Sequence, residues 1–358
     1  MSTTPVGVII GRMNPPHLGH LKIIRQSISN NPYTIIVLGS CFQQPTSKNP
    51  LTHEERRTIL EQYLTDLKIP DLMNRVGFVF VPDFHYSNID WLNAVKDKCF
   101  FKAMEMFEDK KSKPSFTIYG YDKDTSSQYL NWFAPWKSFL ISEPYKFNDQ
   151  VLHSTDLRAL LFKDGLFALT QPVFTDSYSP TQIEYLNNWI MSGSFHNLEQ
   201  DYEYYEKYKQ AWAAAPFAPT FVTGDALVFC NGHVLTVKRK GPPGADTYAL
   251  PGGFIEQDEF IKDCIIRELR EETKIDIPPG KLKNCLKQIQ VFDAPQRSLR
   301  GRVITHVGVF VLDEPSLPKV KGADDARSAQ WLPLNVVSRM SHQFFEDHYY
   351  IIDSLKTI

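Results

Sequence analysis

The sequence predicts a two-domain protein, an α/β domain built on a parallel sheet followed by an α+β domain. Three observations carry this reading. The chain has 358 residues, more than one ordinary domain holds. Through the first half, short β-branched runs alternate with helical segments, the pattern of βαβ units with helices on both faces of a parallel sheet. After AAAPFAP (213–219) the pattern changes to short strands joined by turns, with one strong helix in their midst and another at the end. The expected organisation is a first domain over 1–190, a helical and Pro/Ala-rich connection over 191–219, and a second domain over 220–358.

In the first domain VGVII (6–10), YTIIVLGS (33–40), VGFVFVPD (76–83), FTIYGYD (116–122) and KSFLISEP (137–144) read as buried strands. LKIIRQSI, HEERRTILEQYLTDL and WLNAVKDKCFFKAMEMF, between them, carry helical spacing. Ligands of such sheets sit beyond the carboxyl ends of the strands, so GRMNPPHLGH (11–20), directly after the first strand, is the first loop to consider. From Pro180 to about Trp212 the chain is helical and rich in tyrosine, ending DYEYYEKYKQAW. Beyond the proline break FVTGDALVFC, GHVLTVKRK, TYALPGG, QIQVF and VITHVGVFVL read as strands, and residues 259–274 as the strong helix.

Composition narrows the function classes. Lys+Arg 39 against Asp+Glu 41 gives a formal charge of −2, so no basic field points to nucleic acid or a membrane surface. The five cysteines are dispersed without a CxxC pair, as expected of thiols in a reducing compartment. MSTTPVGVII lacks the basic start and long apolar core of a signal peptide, and no apolar run reaches the length of a membrane span. The expectation is a cytoplasmic protein with no nucleic-acid or membrane partner.

His17 and His20 lie at i and i+3, on one face of a first helical turn, and Pro15 and Pro16 suit a helix start. Gly11 and Gly19 remove side chains where a ligand approaches the backbone. A helix N-terminus offers N–H groups and a positive dipole end. Two imidazoles and Arg12 added to it suit a triphosphate, although a tight turn with two surface histidines has the same residues. Far along the chain, LHSTDLR (152–158) places Ser154, Thr155 and Asp156 where they either cap a helix or meet a ligand, with Arg158 on its first turn.

Together these two segments resemble the HxGH and ISxTxxR signatures of the nucleotidylyltransferase superfamily, which has a Rossmann-like fold. The resemblance implies that His17, His20, Thr155 and Arg158 hold the ATP phosphates, with His153 standing where the family has serine. Gly11-Arg12 ahead of the histidines is similar to the archaeal type of nicotinamide mononucleotide (NMN) adenylyltransferase. NPLTHEERRTIL (49–60) resembles that family's substrate-contacting segment, which implies Asn49, Thr52 and Arg56. VPDFHYSNIDW (81–91) resembles its nicotinamide-holding loop, which implies Asn88 and Trp91. A tryptophan stacked on a cationic pyridinium is favourable, because the ring quadrupole attracts charge. Gly120 and Asp122, in GYDKDTSS (120–127), would lie beside the adenosine. The implied chemistry needs no protein nucleophile. Positioning, charge neutralisation and a Mg²⁺ ion held mainly by phosphates are enough.

The second domain carries LPGGFIEQDEFIKDCIIRELREETKI (250–275). On a helix Glu268, Glu271 and Glu272 converge on one face, and Glu268 and Glu272 flank Ile261 beside Cys264 and Ile265. Carboxylates interrupting a packed face are costly unless a cation compensates them, and hard oxygen ligands at that density suit Mg²⁺ or Mn²⁺. The segment resembles the Nudix box, from Gly253 through Glu259 and Arg267 to Ile275, with Lys274 where the box has its last glycine. The resemblance implies that Glu268, Glu271 and Glu272 coordinate the metal, Glu268 and Glu272 acting in catalysis, while Arg267 and Glu259 brace the loop and helix. The implied reaction is hydrolysis of a nucleoside diphosphate derivative.

FDAPQRSLRGRVITHVGVF (292–310) offers Arg297, Arg300 and Arg302 to a pyrophosphate, or else three solvated arginines. With GADDARSAQWLPL (322–334) it resembles the Nudix enzymes that hydrolyse ADP-ribose, and Asp324 and Asp325 either orient water or cap a helix. The order of the two domains resembles that of bifunctional enzymes of NAD metabolism, with ATP, NMN, NAD and ADP-ribose as ligands and divalent metal in both domains. A homo-oligomer is compatible with this reading. Two rivals stay open: a Nudix sensor that binds ADP-ribose or NAD without turnover, and an adenylyltransferase for another acceptor such as pantetheine phosphate.

Overall fold

A computed structural model describes residues 2–121, 125–141 and 143–357, with the backbone alone over 125–128. The chain divides into two compact units, residues 1–198 and 199–358. Among the described residues no helix is long and apolar enough to cross a membrane.

The first unit opens with β1 (Thr3–Gly11), α1 (Leu18–Asn30), β2 (Tyr33–Leu38), α2 (His53–Asp66), the short α3 (Leu72–Arg75) and β3 (Val76–Phe80). It continues through α4 (Asn88–Met106), β4 (Lys113–Tyr121) and β5 (Lys137–Ile141). All five strands are parallel, in the order β3-β2-β1-β4-β5. The apolar runs are continuous because both faces of the sheet are covered. Alternation then sorts them: Val6, Val8, Ile35 and Val37 pack with α4 on one face, whereas Ile9, Ile36 and Leu38 pack with α1 on the other. β5 departs from the expected burial. It is the outermost strand, and Lys137, Ser138, Phe139 and Leu140 are all exposed. The chain steps from β1 to β2 and β3 on one side, then returns to the other side of β1 for β4. The loops after β1 and β4 therefore part at the switch point, where a ligand crevice forms.

A small ribbon of β6 (Lys146–Phe147) and β7 (Gln150–Val151) leads into α5 (Ser154–Asp164), α6 (Pro172–Thr175) and α7 (Pro180–Ile190). The next helix, α8 (Gly193–Ala211), contains the division between the units. The expected boundary at AAAPFAP is thus displaced toward the N-terminus, because Tyr208 and Trp212 pack on Phe221 of the second unit's first strand.

The second unit runs β8 (Thr220–Cys230), β9 (His233–Arg239), β10 (Tyr248–Ala249), β11 (Gly252–Phe254), α9 (Ile261–Thr273) and α10 (Pro279–Cys285). It ends with β12 (Leu286–Phe292), β13 (Arg302–Leu312), β14 (Ala326–Pro333), α11 (Leu334–Val337) and α12 (His348–Leu355). The seven strands form a mixed sheet, β10-β9-β8-β13-β12 with β11 on β8 and β14 on β9, and only β8 and β13 pair in parallel. Ile265, Ile266 and Leu269 of α9 pack on one face, and Ile351, Ile352 and Leu355 of α12 on the other. The sheet therefore has a core on each side.

Candidate active sites

GRMNPPHLGH leaves β1 at the switch point. The two prolines precede the helix rather than open it, since His17 is the N-cap of α1. His17 Nδ1 accepts the Gly19 N–H at 3.1 Å, and His20 Nδ1 accepts the His17 N–H at 3.2 Å. Two imidazoles thus form a reciprocal capping box. Their ring centroids are 3.9 Å apart. Because each Nδ1 accepts a backbone hydrogen, each neutral ring carries its own hydrogen on Nε2. Gly19 is required by the His17 ring: a Cβ there would lie 2.9 Å from His17 Cε1. At Gly11 the atoms nearest to a Cβ would be those of the Met13 side chain, at 3.3 Å.

LHSTDLR docks on this loop. The N-cap of α5 is His153, without a side-chain cap, so the hydroxyls are not caps. Ser154 donates to the Pro15 carbonyl at 3.0 Å, and Arg158 donates to the Asn14 carbonyl at 2.7 Å and to Thr155 Oγ1 at 3.0 Å. Burial lowers the Arg158 pKa to about 10, with the charge of Arg12 adding to the shift and Asp156 opposing it. Lys48, which the sequence reading passed over, is lowered too, by burial, then by Arg12 and Arg158, against Asp83. Three cations therefore repel one another beside the histidine loop, an arrangement that a polyanion relieves. The available signal was a lysine directly before Asn49, on the loop that follows β2.

Of the three expected substrate contacts on this segment, Arg56 has a structural role instead, and Thr52 and Asn49 also hold the local backbone. Arg56 is fully buried. Its Nε donates to the Thr52 carbonyl, and its Nη1 to the carbonyls of Arg12 and Gly39. Its Nη2 meets the Ser40 carbonyl and Cys41 Sγ. With every donor engaged inside the protein, Arg56 ties the ends of β1 and β2 together. Thr52 caps α2 in a capping box with Glu55. Asn49 closes a turn on Thr46, its N–H donating to that carbonyl at 3.0 Å. The loop is held from the same side by Asn14, whose amide exchanges hydrogen bonds with the Leu51 backbone at 2.8 and 3.0 Å.

Asn88 and Trp91 lie in the first turn of α4 rather than in a loop, because Ser87 caps the helix there. Asn88 is exposed, whereas Trp91 is half-buried, edge-on to Tyr129 and Phe133 at 5.7 Å each. Gly120 makes room for packing: a Cβ would lie 2.7 Å from Leu130 Cδ1. Asp122 lies outside the described residues.

In the second unit α9 presents the carboxylates. Arg267 bridges them, with Nε and Nη2 on Glu259 at 2.8 and 2.9 Å and Nη1 on Glu268 at 2.7 Å and Glu271 at 3.0 Å. Its Nη2 also meets the Phe254 carbonyl, which braces loop to helix. Gly253 is bare because the Glu268 carboxylate lies over it, 2.3 Å from where a Cβ would stand. Glu272 is buried, and its Oε2 accepts the Gly252 N–H at 3.1 Å. Burial pushes its carboxyl up to about 8, and raises Glu268 as well. Asp225 on β8, absent from the sequence reading, is buried beside them, bonded to Thr305 and pushed up to about 6 by burial. Lys274 ends α9 in the left-handed conformation, φ 43°, which explains the glycine of the box: that position is a helix C-cap.

Asp225 and Glu272 border a small open cleft whose lining also includes Arg239, Arg297, Arg300 and His348. The three predicted arginines separate here. Arg297 is buried in a two-pronged pair with Asp347, at 2.7 and 3.0 Å, so it is committed within the protein. Arg302 pairs with Asp293 and is not part of the lining. Arg300 faces the cleft, with its guanidinium over the rings of Phe254 and Phe345 at 5.2 and 6.0 Å. Arg239, which the sequence reading missed, joins it, 4.3 Å from the Phe345 ring centre. Asp324 and Asp325 are not part of the lining. His348 Nδ1 accepts the Leu250 N–H at 2.9 Å, and burial lowers its pKa to about 3, so it stays neutral.

Among the described residues no three His, Cys, Asp or Glu side chains stand as a ready-made metal cage. Arg267 occupies Glu268 and Glu271 in their place. The donor set nevertheless fits a hard divalent ion. It is all carboxylate, and Glu268 and Glu272 are disfavoured as anions where they stand, which a cation reverses.

The comparisons with known proteins follow the same division. The family described as NUDIX domain matches residues 221–355, and that described as Cytidylyltransferase-like matches residues 8–124. An ADP-ribose pyrophosphatase of Methanocaldococcus jannaschii is 36% identical over 120 residues, 34% of this chain and 66% of that protein. A nicotinamide-nucleotide adenylyltransferase of Aeropyrum pernix is 34% identical over 89 residues, 25% of this chain. That match spans 50% of the relative's own length. The crystal structure of a bifunctional NMN adenylyltransferase/ADP ribose pyrophosphatase from Francisella tularensis, complexed with AMP and a Mn ion, is 34% identical. The likeness has a TM-score of 0.87 and covers 99% of both chains. With two linked units, each carrying the residues of its own motif, the chain belongs to the family of bifunctional NMN adenylyltransferase/ADP-ribose pyrophosphatases.

Proposed function

We propose that the first unit transfers AMP from ATP to nicotinamide mononucleotide, giving NAD and pyrophosphate, and that the second hydrolyses ADP-ribose to AMP and ribose 5-phosphate. The observation that carries the first half is the docking of Ser154 and Arg158 on the histidine loop, with Arg12 and Lys48 beside them. In the reaction a phosphate oxygen of the mononucleotide attacks the α-phosphorus of ATP. The bond from that phosphorus to the bridging oxygen breaks, and pyrophosphate leaves with the electron pair. His17, His20, Arg12, Lys48, Arg158 and Thr155 bind and neutralise the triphosphate, and no protein nucleophile takes part. His17 and His20 act as donors at Nε2, not as proton shuttles. Trp91 offers an aromatic face for the pyridinium, with Asn88 at the same helix start.

In the second unit Glu268, Glu271 and Glu272 hold divalent metal, Mg²⁺ or Mn²⁺. When bound, it lowers the pKa of water and polarises the phosphoryl group. Arg239 and Arg300 grip the pyrophosphate, and neutral His348 donates from Nε2. Water oxygen bonds to one phosphorus, and the bridging oxygen departs with the other phosphate. The complete set of box acids favours turnover over a silent sensor. Five free cysteines support placing the enzyme in the cytoplasm.

The test uses the full chain. With ATP, Mg²⁺ and nicotinamide mononucleotide it is expected to release NAD and pyrophosphate. From a panel of nucleoside diphosphate derivatives it is expected to prefer ADP-ribose. A folded sample that makes no NAD would sink the first assignment, and a preference for another derivative would sink the second.

A further inference from the structure

The tyrosine-rich end of α8 has no part in the mechanism above, yet it packs against the back of the hydrolase cleft. Asp201, Tyr205, Tyr208 and Trp212 recur at helical spacing and form one stripe. Two lines of contact run from that stripe to the two cleft arginines. In the first, both oxygens of Asp201 accept the Gly244 N–H, at 3.0 and 3.1 Å. Gly244 lies in the turn that follows β9, at φ 72°, pressed under Phe345 so closely that a Cβ would be 2.4 Å from its ring. In the same turn the Pro243 carbonyl accepts Arg239 Nε at 2.8 Å, and the Arg239 guanidinium lies on Phe345. In the second line, Tyr208 and Trp212 each meet Phe221 at 5.5 Å. Phe221 meets Phe254 edge-on at 5.9 Å, and Phe254 underlies Arg300. Tyr205 lies buried between the two lines, close enough to Arg239 and Arg300 to feel both charges.

We propose that Asp201 and Trp212 are positioning residues of the hydrolase. Asp201 fixes the turn that aims Arg239, and Trp212 fixes the aromatic stack that aims Arg300, so both set the grip on the pyrophosphate of a nucleoside diphosphate. The inference rests on the proposed hydrolysis by the second unit. It follows that a hydrolase cut at the proline segment lacks part of its own site.

Steady-state hydrolysis of ADP-ribose by the full chain tests this. Asp201→Ala is expected to raise KM about tenfold with kcat changed by no more than about twofold, the split that ground-state and transition-state binding lost together gives. Asp201→Asn keeps an oxygen acceptor for Gly244 and is expected to recover most of the loss. Trp212→Ala is expected to raise KM in the same way through Arg300, and NAD synthesis is expected to stay at the wild-type rate in all three. A purely structural helix would lower the melting temperature and leave KM alone, and that result overturns the inference. If Asp201→Ala does not fold, Asp201→Asn and Trp212→Ala decide: a wild-type KM in Trp212→Ala overturns the inference, and a raised one supports it. A wild-type chain that hydrolyses no nucleoside diphosphate derivative would overturn the functional reading and this inference with it.

Discussion

Beside the histidine loop of the first unit, Arg12, Lys48 and Arg158 repel one another, while α9 of the second crowds Glu268 and Glu272 into a buried wall where neither is comfortable as an anion. Each site is therefore electrostatically strained, with opposite sign, and each is relieved by what it is built to bind. The two also differ in how they are supported. The first is a loop clamped through its carbonyls by side chains from α2 and α5. The second is one helix face, spaced by helical geometry and braced by Arg267. Function can be drawn from a cation cluster on scattered loops or from acids on a single helix, and the second is far easier to read.

Silencing one unit at a time has the largest expected effect. Glu272→Gln is expected to lower ADP-ribose hydrolysis by about a hundred- to a thousandfold while NAD synthesis continues. His17→Asn is expected to do the reverse, because asparagine keeps the α1 cap but removes the imidazole, with NAD synthesis falling about a hundredfold. Loss of both activities in either variant would mean that the units are not independent.

A smaller effect sharpens the electrostatic half. The Glu272 carboxyl is raised to about 8 in the folded chain, against ~4.3 unfolded. Between those values the native state holds a proton that the unfolded chain has lost, so metal-free stability falls as pH rises. A divalent ion replaces that proton. The rise in melting temperature on adding Mg²⁺ is therefore expected to grow from pH 5.5 to pH 8, and to lose that trend in Glu272→Gln. An equal rise at both pH values would contradict the burial argument. The smallest effect is Lys274→Gly, which removes a left-handed lysine and is expected to stabilise the second unit by about 1 kcal/mol in denaturant titration, with ADP-ribose hydrolysis unchanged. A destabilised variant would show that the Lys274 side chain holds something that its conformation does not reveal.

Much of this was legible without coordinates. Strand and helix alternation and the convergence of the α9 carboxylates follow from short-range periodicity, whereas His17, His20 and Arg158 stand out only through the resemblance of their two segments to known motifs. Arg56 was misread because the chain alone does not say whether an arginine's five donors point at ligand or at backbone carbonyls. The chain alone is equally silent on the partners of Arg297 and Arg302: Arg297 lines the cleft while paired with Asp347, and Arg302 meets Asp293 away from it. No local pattern distinguishes Arg239 and Asp225, and Lys48 is marked only by its place directly before Asn49. They become notable only through neighbours far away in sequence.

The two folds, their order and the acids on α9 are written in the order of the residues, because sheet alternation and the helical repeat act over a few positions. Packing across the fold sets the docking of α5 on the loop after β1, the share of α8 in the second unit, and which arginines face the cleft. Those outcomes depend on which buried charges and carbonyls find one another across long loops, and desolvation at that distance leaves no mark on the local sequence.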